Sequence, residues 1–304
     1  AMNELNNFIN LFPNVSTGFV FLLGAIIGSF LNVFVYRYPL IFKRENLQAI
    51  KDYFDELEWP AHQQIEEELN KPKLTLSTPR SHCPKCNTAI KWYHNIPIIS
   101  YLLLKGRCAY CQEKYSSSYM LVELFTGLIL AGSFYYFKDN LLWPIILIIV
   151  LITLAMTLID IKALIIPDEL NYFLLWTIVA LAAFNYHPFG HSLKETILGA
   201  IAGYLIIYFV GLFAKLILKR DGIGQGDYKL IAALGALVGI KGAIFTFFFS
   251  PFIGIAFWLI TSLMKLLDNN KVEKVLPYGP SLILACWVYI FYGEKMLKSI
   301  GLIF

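Results

Sequence analysis

Apolar segments long enough to cross a lipid bilayer dominate this sequence and limit what it can fold into. About 20 consecutive apolar residues span the hydrocarbon core of a membrane, and runs of this kind recur along the 304 residues. Apolar residues make up 58% of the chain and charged residues only 15%, with a mean hydropathy of +0.61. The sequence therefore predicts an all-α polytopic membrane protein and argues against a water-soluble domain.

Eight transmembrane helices account for the apolar runs. Their approximate residues are 15–37, 119–137, 141–160, 168–185, 193–217, 228–240, 243–264 and 278–293. Alternating orientation places residues 38–118, 161–167, 218–227 and 265–277 on one side of the membrane. The other side carries only five of the 25 basic residues, namely Lys138, Lys194, Lys241, Lys295 and Lys298. Because loops rich in Lys and Arg stay in the cytoplasm, we expect the first side to be cytoplasmic.

A single long polar stretch runs from Leu40 to Ser118, between the first two predicted spans. Its first half, residues 43–70, is rich in acidic side chains. Such a charge run is typical of a solvated helix face, although it could also bind a basic partner. We therefore divide the chain into an N-terminal transmembrane helix (1–39), a small cytoplasmic zinc-binding domain (40–118) and a membrane domain (119–304).

A paired CxxC pattern lies in the second half of the polar stretch. Cys83 and Cys86 form the first pair, and Cys108 and Cys111 form the second. Structural zinc prefers four such ligands in a tetrahedron, and a cytosolic location argues against stable disulfides. The pattern predicts a structural Zn²⁺ site that stabilises a small domain. An iron–sulfur or redox role and chance spacing are the alternatives, and Cys286 in the last span is expected to be a packing residue.

Two aspartates lie at the ends of otherwise uncharged apolar runs. Asp160 ends the third span, and Asp227 follows the glycine-rich residues 222–226. Ionisable groups at membrane depth are expensive and usually functional, and two adjacent carboxyl groups can share a proton, as aspartyl proteolysis requires. Taken singly, Asp227 could be a helix N-cap and Asp160 an interfacial charge. Together on the expected cytoplasmic side, they predict a catalytic pair.

Four further residues are candidates for contact with a substrate. Gly224 and Gly226 remove side chains from the approach to Asp227, so an extended peptide could lie against this loop. Lys229 and Glu123 are the other two, although Lys229 also fits the charge bias of its side and Glu123 fits an interfacial anchor equally well. Asp168 opens the fourth span after Ile-Pro, which favours a helix cap.

Several of these patterns together resemble the bacterial type IV prepilin peptidases. The segments that carry the resemblance are residues 28–39 (GSFLNVFVYRYP), Arg80-Ser81 with the two CxxC pairs, residues 95–102 (NIPIISYL), 105–108 (KGRC) and 119–127, Asp160 with Ile166-Pro167-Asp168, and residues 224–230 (GQGDYKL). A GxGD sequence alone is shared with presenilin-like proteases. Its combination with an upstream aspartate and the spaced cysteines makes the resemblance specific.

The resemblance implies a GxGD aspartyl protease of the bacterial inner membrane, with Asp160 and Asp227 as its catalytic aspartates. It implies cleavage of a short basic leader, just after a glycine, from type IV prepilins or type II secretion pseudopilins at the cytoplasmic face. It also implies N-methylation of the new N-terminal residue, usually Phe, with S-adenosylmethionine as methyl donor. The expected partners are these precursors and membrane lipids, without nucleic acid.

Two functions from other classes are the alternatives. An ion-coupled transporter would also use buried carboxylates and broken helices, but both aspartates are expected at one surface and no inverted repeat is visible in the sequence. A non-catalytic scaffold that docks partners through its zinc domain would explain the cysteines and leave the aspartate pair without a role. The sequence therefore favours the peptidase.

Overall fold

The structure, a computed structural model, describes residues 4, 9, 11–57, 63–219, 224–267 and 277–299. Within these residues the regular structure is helical, and the β pairing there consists of two isolated antiparallel bridges. The chain divides into two compact units, Ala1–Lys138 (unit 1) and Asp139–Phe304 (unit 2). The predicted all-α class is confirmed for the described part of the chain.

Two long helices form the frame of unit 1. The helices are α1, Pro13–Glu56, α2, Gln63–Leu69, α3, Ile99–Leu103, and α4, Ser118–Phe137, with a 3₁₀ turn at Trp92–Asn95. α1 continues well past residue 37, where the first span was predicted to end, because no Gly or Pro follows Pro39 before residue 57. The predicted boundary between residues 39 and 40 thus falls inside one helix. The three-part division of the chain stays a functional prediction.

Helices α1 and α4 approach closely at a glycine. A Cβ on Gly28 would lie only 2.8 Å from the Cα of Glu123. Small residues at contacts are characteristic of membrane helices, which gain little from apolar burial in lipid and depend on close packing. Beside this contact, Asn32 Nδ2 donates to the carbonyl oxygen of Tyr119 at 2.9 Å. The segment around residues 28–32 therefore forms the packing surface for α4.

Arg37 ties the polar stretch to α1. Its side chain is only 7% exposed, and its guanidinium donates to the carbonyl oxygens of Thr75 (2.8 Å), Leu76 (3.2 Å) and Pro79 (2.6 Å). Because guanidinium presents several donors in a rigid fork, one side chain can hold a whole turn. This contact anchors the segment that leads into the first cysteine pair.

Unit 2 is built around its longest helix. Its elements are α5, Trp143–Ala163, α6, Asp168–Ala183, α7, Leu193–Leu218, α8, Gln225–Leu267, α9, Gly279–Val288, a π-helix, Tyr289–Gly293, and α10, Glu294–Ser299. α8 packs against α6, α7 and α9, and α5 packs against α6 and α9. The core between them contains large apolar residues such as Met156, Leu174 and Leu234. Cys286 is fully buried among them, as the prediction of a packing residue requires.

The long helix α8 is broken at Gly239, whose φ of 68° and ψ of −176° are not helical. The break frees the Ala236 carbonyl, which in a regular helix would accept from the amide four residues later. His187 Nε2 fills this position at 3.3 Å, and its Nδ1 accepts from Phe189 N. Burial lowers the pKa of His187 to about 4. A neutral imidazole therefore donates a hydrogen bond to the Ala236 carbonyl oxygen, which lipid cannot do.

The predicted spans are found as helices. Among the residues that the structure describes, five helices are long and apolar enough to cross a membrane, namely α1, α4, α5, α7 and α8. α6 and the segment Gly279–Gly293 are shorter apolar helices. α8 contains the sixth and seventh predicted spans, which the sequence separated at residues 241–242 and the structure separates at Gly239. The sidedness of the spans stays a prediction.

We expect Gly199→Ala to destabilise unit 2, because the added Cβ would overlap the Gly235 carbonyl oxygen and lie 2.8 Å from the Gly239 backbone. Backbone atoms cannot rotate away, so a loss of about 1–3 kcal/mol is expected. Gly132→Ala is the matched control, since a Cβ there meets nothing within 4 Å. Melting temperatures in detergent measure both variants, and equal values would contradict the packing described for α7 and α8.

Candidate active site and metal centre

Each cysteine pair lies in a small hairpin, and the two hairpins repeat one pattern of hydrogen bonds. Cys83 N donates to Thr88 O at 3.0 Å, and Cys108 N donates to Glu113 O at 2.8 Å. One isolated β-bridge closes each hairpin. Lys85 of the first hairpin forms an ion pair with Glu113 of the second. The repeated geometry directs all four thiols towards one point.

The four thiols lie close enough to bind one ion. The sulfurs of Cys83, Cys86, Cys108 and Cys111 all lie within 4.8 Å of one another, and the cysteines are not disulfide-bonded. The Cys83–Cys111 sulfurs are 3.7 Å apart and the Cys86–Cys108 sulfurs 4.0 Å. Zinc–sulfur bonds of about 2.3 Å in a tetrahedron separate the sulfurs by about 3.8 Å. The arrangement therefore fits a tetrahedral ion with four sulfur ligands.

Backbone amides around the sulfurs favour the thiolate form. Hydrogen bonds from the N–H of Cys111 and then of Tyr110 lower the pKa of the Cys108 thiol to about 6. In the first hairpin, the N–H of Cys86 leads the groups that lower the pKa of Cys83. Thiolate is the form of cysteine that binds metal, so these hydrogen bonds favour binding at Cys83 and Cys108, whereas burial and the neighbouring thiols raise the pKa of Cys111 to about 12.

Asp160 lies one turn before the end of α5. Its side chain is 5% exposed, and its Oδ2 accepts from Gly279 N at 3.0 Å. A Cβ at position 279 would lie 2.7 Å from the same oxygen, so this close approach requires glycine. The helix ends at Leu164, which has a left-handed φ of 55° and donates its N–H to Asp160 O at 2.9 Å. A backbone donor and a sharp turn therefore fix the carboxyl group.

Asp227 lies in the first turn of α8, which begins at Gln225. Asp227 is half-buried, and its backbone N–H donates to Gly224 O at 3.1 Å. The first turn of a helix is where the helix dipole stabilises a carboxylate. Gly226 places no side chain between Asp227 and its surroundings. The helix N-terminus predicted at this aspartate is found.

Ile166, in the connection after the helix of Asp160, packs against Gly226, which precedes Asp227, and against Gly279, which binds Asp160. A Cβ on Gly226 would lie 3.1 Å from the Ile166 Cβ, and one on Gly279 would lie 3.1 Å from the Ile166 Cδ1. The structure therefore places both carboxyl groups at one site, and their catalytic role stays a prediction.

Sequence reasoning missed residues 277–280, which complete this site. Gly279 supplies the donor to Asp160, and the Tyr278 hydroxyl lies 2.6 Å from Ser250 Oγ. The available signal was the Pro-Tyr-Gly-Pro sequence directly before the last apolar run. A glycine between two prolines marks a special backbone, but nothing local points to an aspartate far away in the sequence.

The other candidate residues have partners of their own. In unit 1, the buried Glu123 accepts from Ile98 N at 2.8 Å and so anchors a residue with a left-handed φ of 63°. In unit 2, Lys229 Nζ lies 2.6 Å from Asp168 Oδ2. Asp168 is not the cap of α6, because Pro167 holds that position, and the capping prediction is wrong. The substrate contacts predicted for Glu123, Lys229 and the two glycines beside Asp227 stay predictions.

Comparison with known proteins matches both parts of the chain. Residues 22–137 match the bacterial peptidase A24 N-terminal domain, and residues 145–259 match the type IV leader peptidase family. The chain is 35% identical over 279 residues to a prepilin leader peptidase/N-methyltransferase of Aeromonas hydrophila, covering 92% of this chain and 91% of that protein. It is 33% identical over 283 residues to the protein of the same name from Dichelobacter nodosus, covering 93% and 94%. No solved structure matches the chain.

We expect Cys83→Ser to abolish metal binding, because a serine hydroxyl does not replace a thiolate ligand at neutral pH. Elemental analysis of purified protein should find about one zinc ion per wild-type chain and little in the variant, together with a lower melting temperature. Cys286→Ala is the matched control and should keep the metal, since Cys286 is buried in the core of unit 2. Metal-free wild-type protein would contradict the site.

Proposed function

This chain belongs to the type IV leader peptidase family, and from this we propose that Asp160 and Asp227 form the catalytic pair of an aspartyl endopeptidase. The enzyme cleaves the leader from type IV prepilins, the substrate class that the names of its relatives give. The observation that supports the proposal is that Ile166 packs against both Gly226, which precedes Asp227, and Gly279, which binds Asp160.

The chemistry follows from a pair of carboxyl groups that hold one proton between them. The ionised carboxylate takes a proton from water while the water oxygen attacks the carbonyl carbon of the scissile bond. The protonated carboxyl then gives its proton to the amide nitrogen as the carbon–nitrogen bond breaks. Because the two groups titrate as a unit, the proton belongs to the pair and is not assigned to one aspartate.

The surrounding residues orient the pair and leave room for the peptide. The N–H of Gly279 fixes the Asp160 carboxyl group, so that group does not rotate away from Asp227. At Asp227, Gly224 carries no side chain that would exclude an extended substrate backbone, whereas Ile166 fills the space beside Gly226. We propose that the substrate lies along this loop and forms strand-like hydrogen bonds with it. Holding the reacting groups in register in this way supplies much of the rate enhancement.

Both carboxyl groups lie at helix ends, near the C-terminus of α5 and the N-terminus of α8. The proposed scissile bond therefore lies near one membrane surface, where the leader of a membrane-anchored precursor would emerge. We assign this surface to the cytoplasmic face of the bacterial inner membrane, which the bias of Lys and Arg supports. Pseudopilins of type II secretion are the second proposed substrate class. A transporter site would instead lie near the midplane.

We assign the four-cysteine cluster to a structural Zn²⁺ ion. Cys83, Cys86, Cys108 and Cys111 would fill its four positions, which leaves no position for a catalytic water. The bound ion would hold the two hairpins together in a region with few large apolar side chains. A scaffold with this metal centre but no enzymatic activity would leave the aspartate pair without a role.

We further propose that the enzyme methylates the N-terminus that cleavage exposes, as the names of the relatives state for those proteins. S-adenosylmethionine would supply the methyl group, and the new amine would attack it. The chain has no glycine-rich nucleotide fingerprint of the GxGxxG type. This part of the proposal therefore depends on family membership and not on a recognised pocket.

We expect Asp160→Asn and Asp227→Asn each to abolish prepilin cleavage, because an amide can neither take nor give the proton that the pair exchanges. The loss should be roughly a thousandfold or more in kcat. Gel-shift assays in liposomes with a purified precursor measure it, and unchanged melting temperatures show that the variants are folded. Asp139→Asn, which changes an acid outside the site, should cleave normally. Normal cleavage by both site variants would reject the proposal.

We expect methylation to be separable from cleavage. Mass spectrometry of a processed prepilin should show one added methyl group on the N-terminal residue with S-adenosylmethionine and none without it. The Asp160→Asn variant should leave the uncleaved precursor unmethylated, because the acceptor amine is not yet free. The same variant should still methylate pre-cleaved pilin. A processed pilin that never gains a methyl group would contradict the second activity.

A further inference from the structure

An ion pair joins the two segments that carry the proposed catalytic aspartates. Lys229 is the fifth residue of α8, two residues after Asp227, and its Nζ is 2.6 Å from Asp168 Oδ2. Asp168 opens α6, directly after the short connection that follows the helix of Asp160. The ammonium also lies 5.5 Å from the ring centroid of Tyr172, one turn further along α6. Two residues of α6 therefore hold one lysine of α8.

The helix dipole does not favour a cation at Lys229. A helix N-terminus carries partial positive charge, which stabilises Asp168 in the first turn of α6 but not Lys229, which follows the first turn of α8. The carboxylate of Asp168 and the ring face of Tyr172 supply the attraction that holds the ammonium. The charge bias of this side of the chain accounts for a lysine nearby, but not for its direct contact with Asp168.

The packing of unit 2 explains why such a contact is needed. α6 and α9 are the neighbours that α5 and α8 have in common. On the α9 side, Gly279 N binds Asp160. On the α6 side, Ile166 fills the space beside Gly226, and the ion pair lies directly after it. Two carboxylates that repel each other when both are charged are thus held from both sides.

We propose that Asp168 and Lys229 are positioning residues that hold the N-terminal end of α8 against the α5–α6 connection and so keep Asp227 within reach of Asp160. The proposal rests on the aspartyl peptidase function. Neither residue touches the reacting atoms; they act through the placement of Asp227. Tyr172 keeps the ammonium of Lys229 turned towards α6.

The test is a double-mutant cycle on prepilin cleavage. Asp168→Asn and Lys229→Met should each lower kcat roughly 10- to 100-fold, with KM little changed, because misplacement of a catalytic group affects the chemical step. The double variant should be no slower than the worse single variant, since both remove one interaction. Lys229→Arg should retain most of the activity, because it keeps the charge. Multiplicative losses in the double variant would overturn the proposal.

The controls separate this proposal from its alternatives. Glu169→Gln removes the neighbouring carboxylate of the same turn and should leave kcat unchanged. If Lys229 instead bound the substrate, Lys229→Met would raise KM while Asp168→Asn cleaved normally, and that result would overturn the proposal. Should either single variant fail to fold, Lys229→Arg and Asp168→Glu decide, and loss of activity in both would count against it. Normal cleavage by Asp160→Asn and Asp227→Asn would reject the peptidase function itself, independently of the ion pair.

Discussion

The arrangement of unit 2 depends on giving a buried carboxyl group a partner. A polar group buried without a hydrogen bond costs roughly 2 to 7 kcal/mol, and the N–H of Gly279 donates a hydrogen bond to Asp160. That donor is available because α9 begins with a glycine, which allows the backbone to approach the carboxyl oxygen. Ile166 then occupies the space that the missing side chains of Gly226 and Gly279 leave. The same contacts therefore pack the helices and hold the proposed catalytic residues in place.

The buried polar groups of the two units have different kinds of partners. In unit 1 a buried arginine binds three carbonyl oxygens, a buried glutamate binds a strained amide, and four thiols gather at one point. Unit 2 has a continuous apolar core and glycine contacts between helices, and its buried acid, Asp160, and buried histidine, His187, lie at the aspartate site and at the break in α8. Function in both units is expected where the polar groups are concentrated.

Sequence reasoning identified the helices because apolar run length is a local property. The predicted spans separate at residues 241–242, beside the charged Lys241. In the structure the break lies at Gly239, whose left-handed φ has no periodic signature in the sequence. The aspartates stood out as charges at the ends of apolar runs. Their supports did not, because Gly279 is 119 residues from Asp160 and Lys229 is 61 residues from Asp168. The local sequence favoured Asp168 as a helix cap. In the structure Pro167 holds the cap position, and Asp168 forms an ion pair with Lys229.

The paired hairpins of unit 1 have a consequence for the entropy of the chain. If one ion binds both hairpins, it closes the segment between Cys86 and Cys108 into a ring, and this ring contains Ile98. Ring closure of this length removes unfolded conformations worth about 3 kcal/mol, by analogy with a cross-link. Without the ion, the hydrogen bond from Ile98 to Glu123 and the Lys85–Glu113 ion pair would remain to hold this segment. Metal occupancy would then determine how firmly the segment between Cys86 and Cys108 is held on α4.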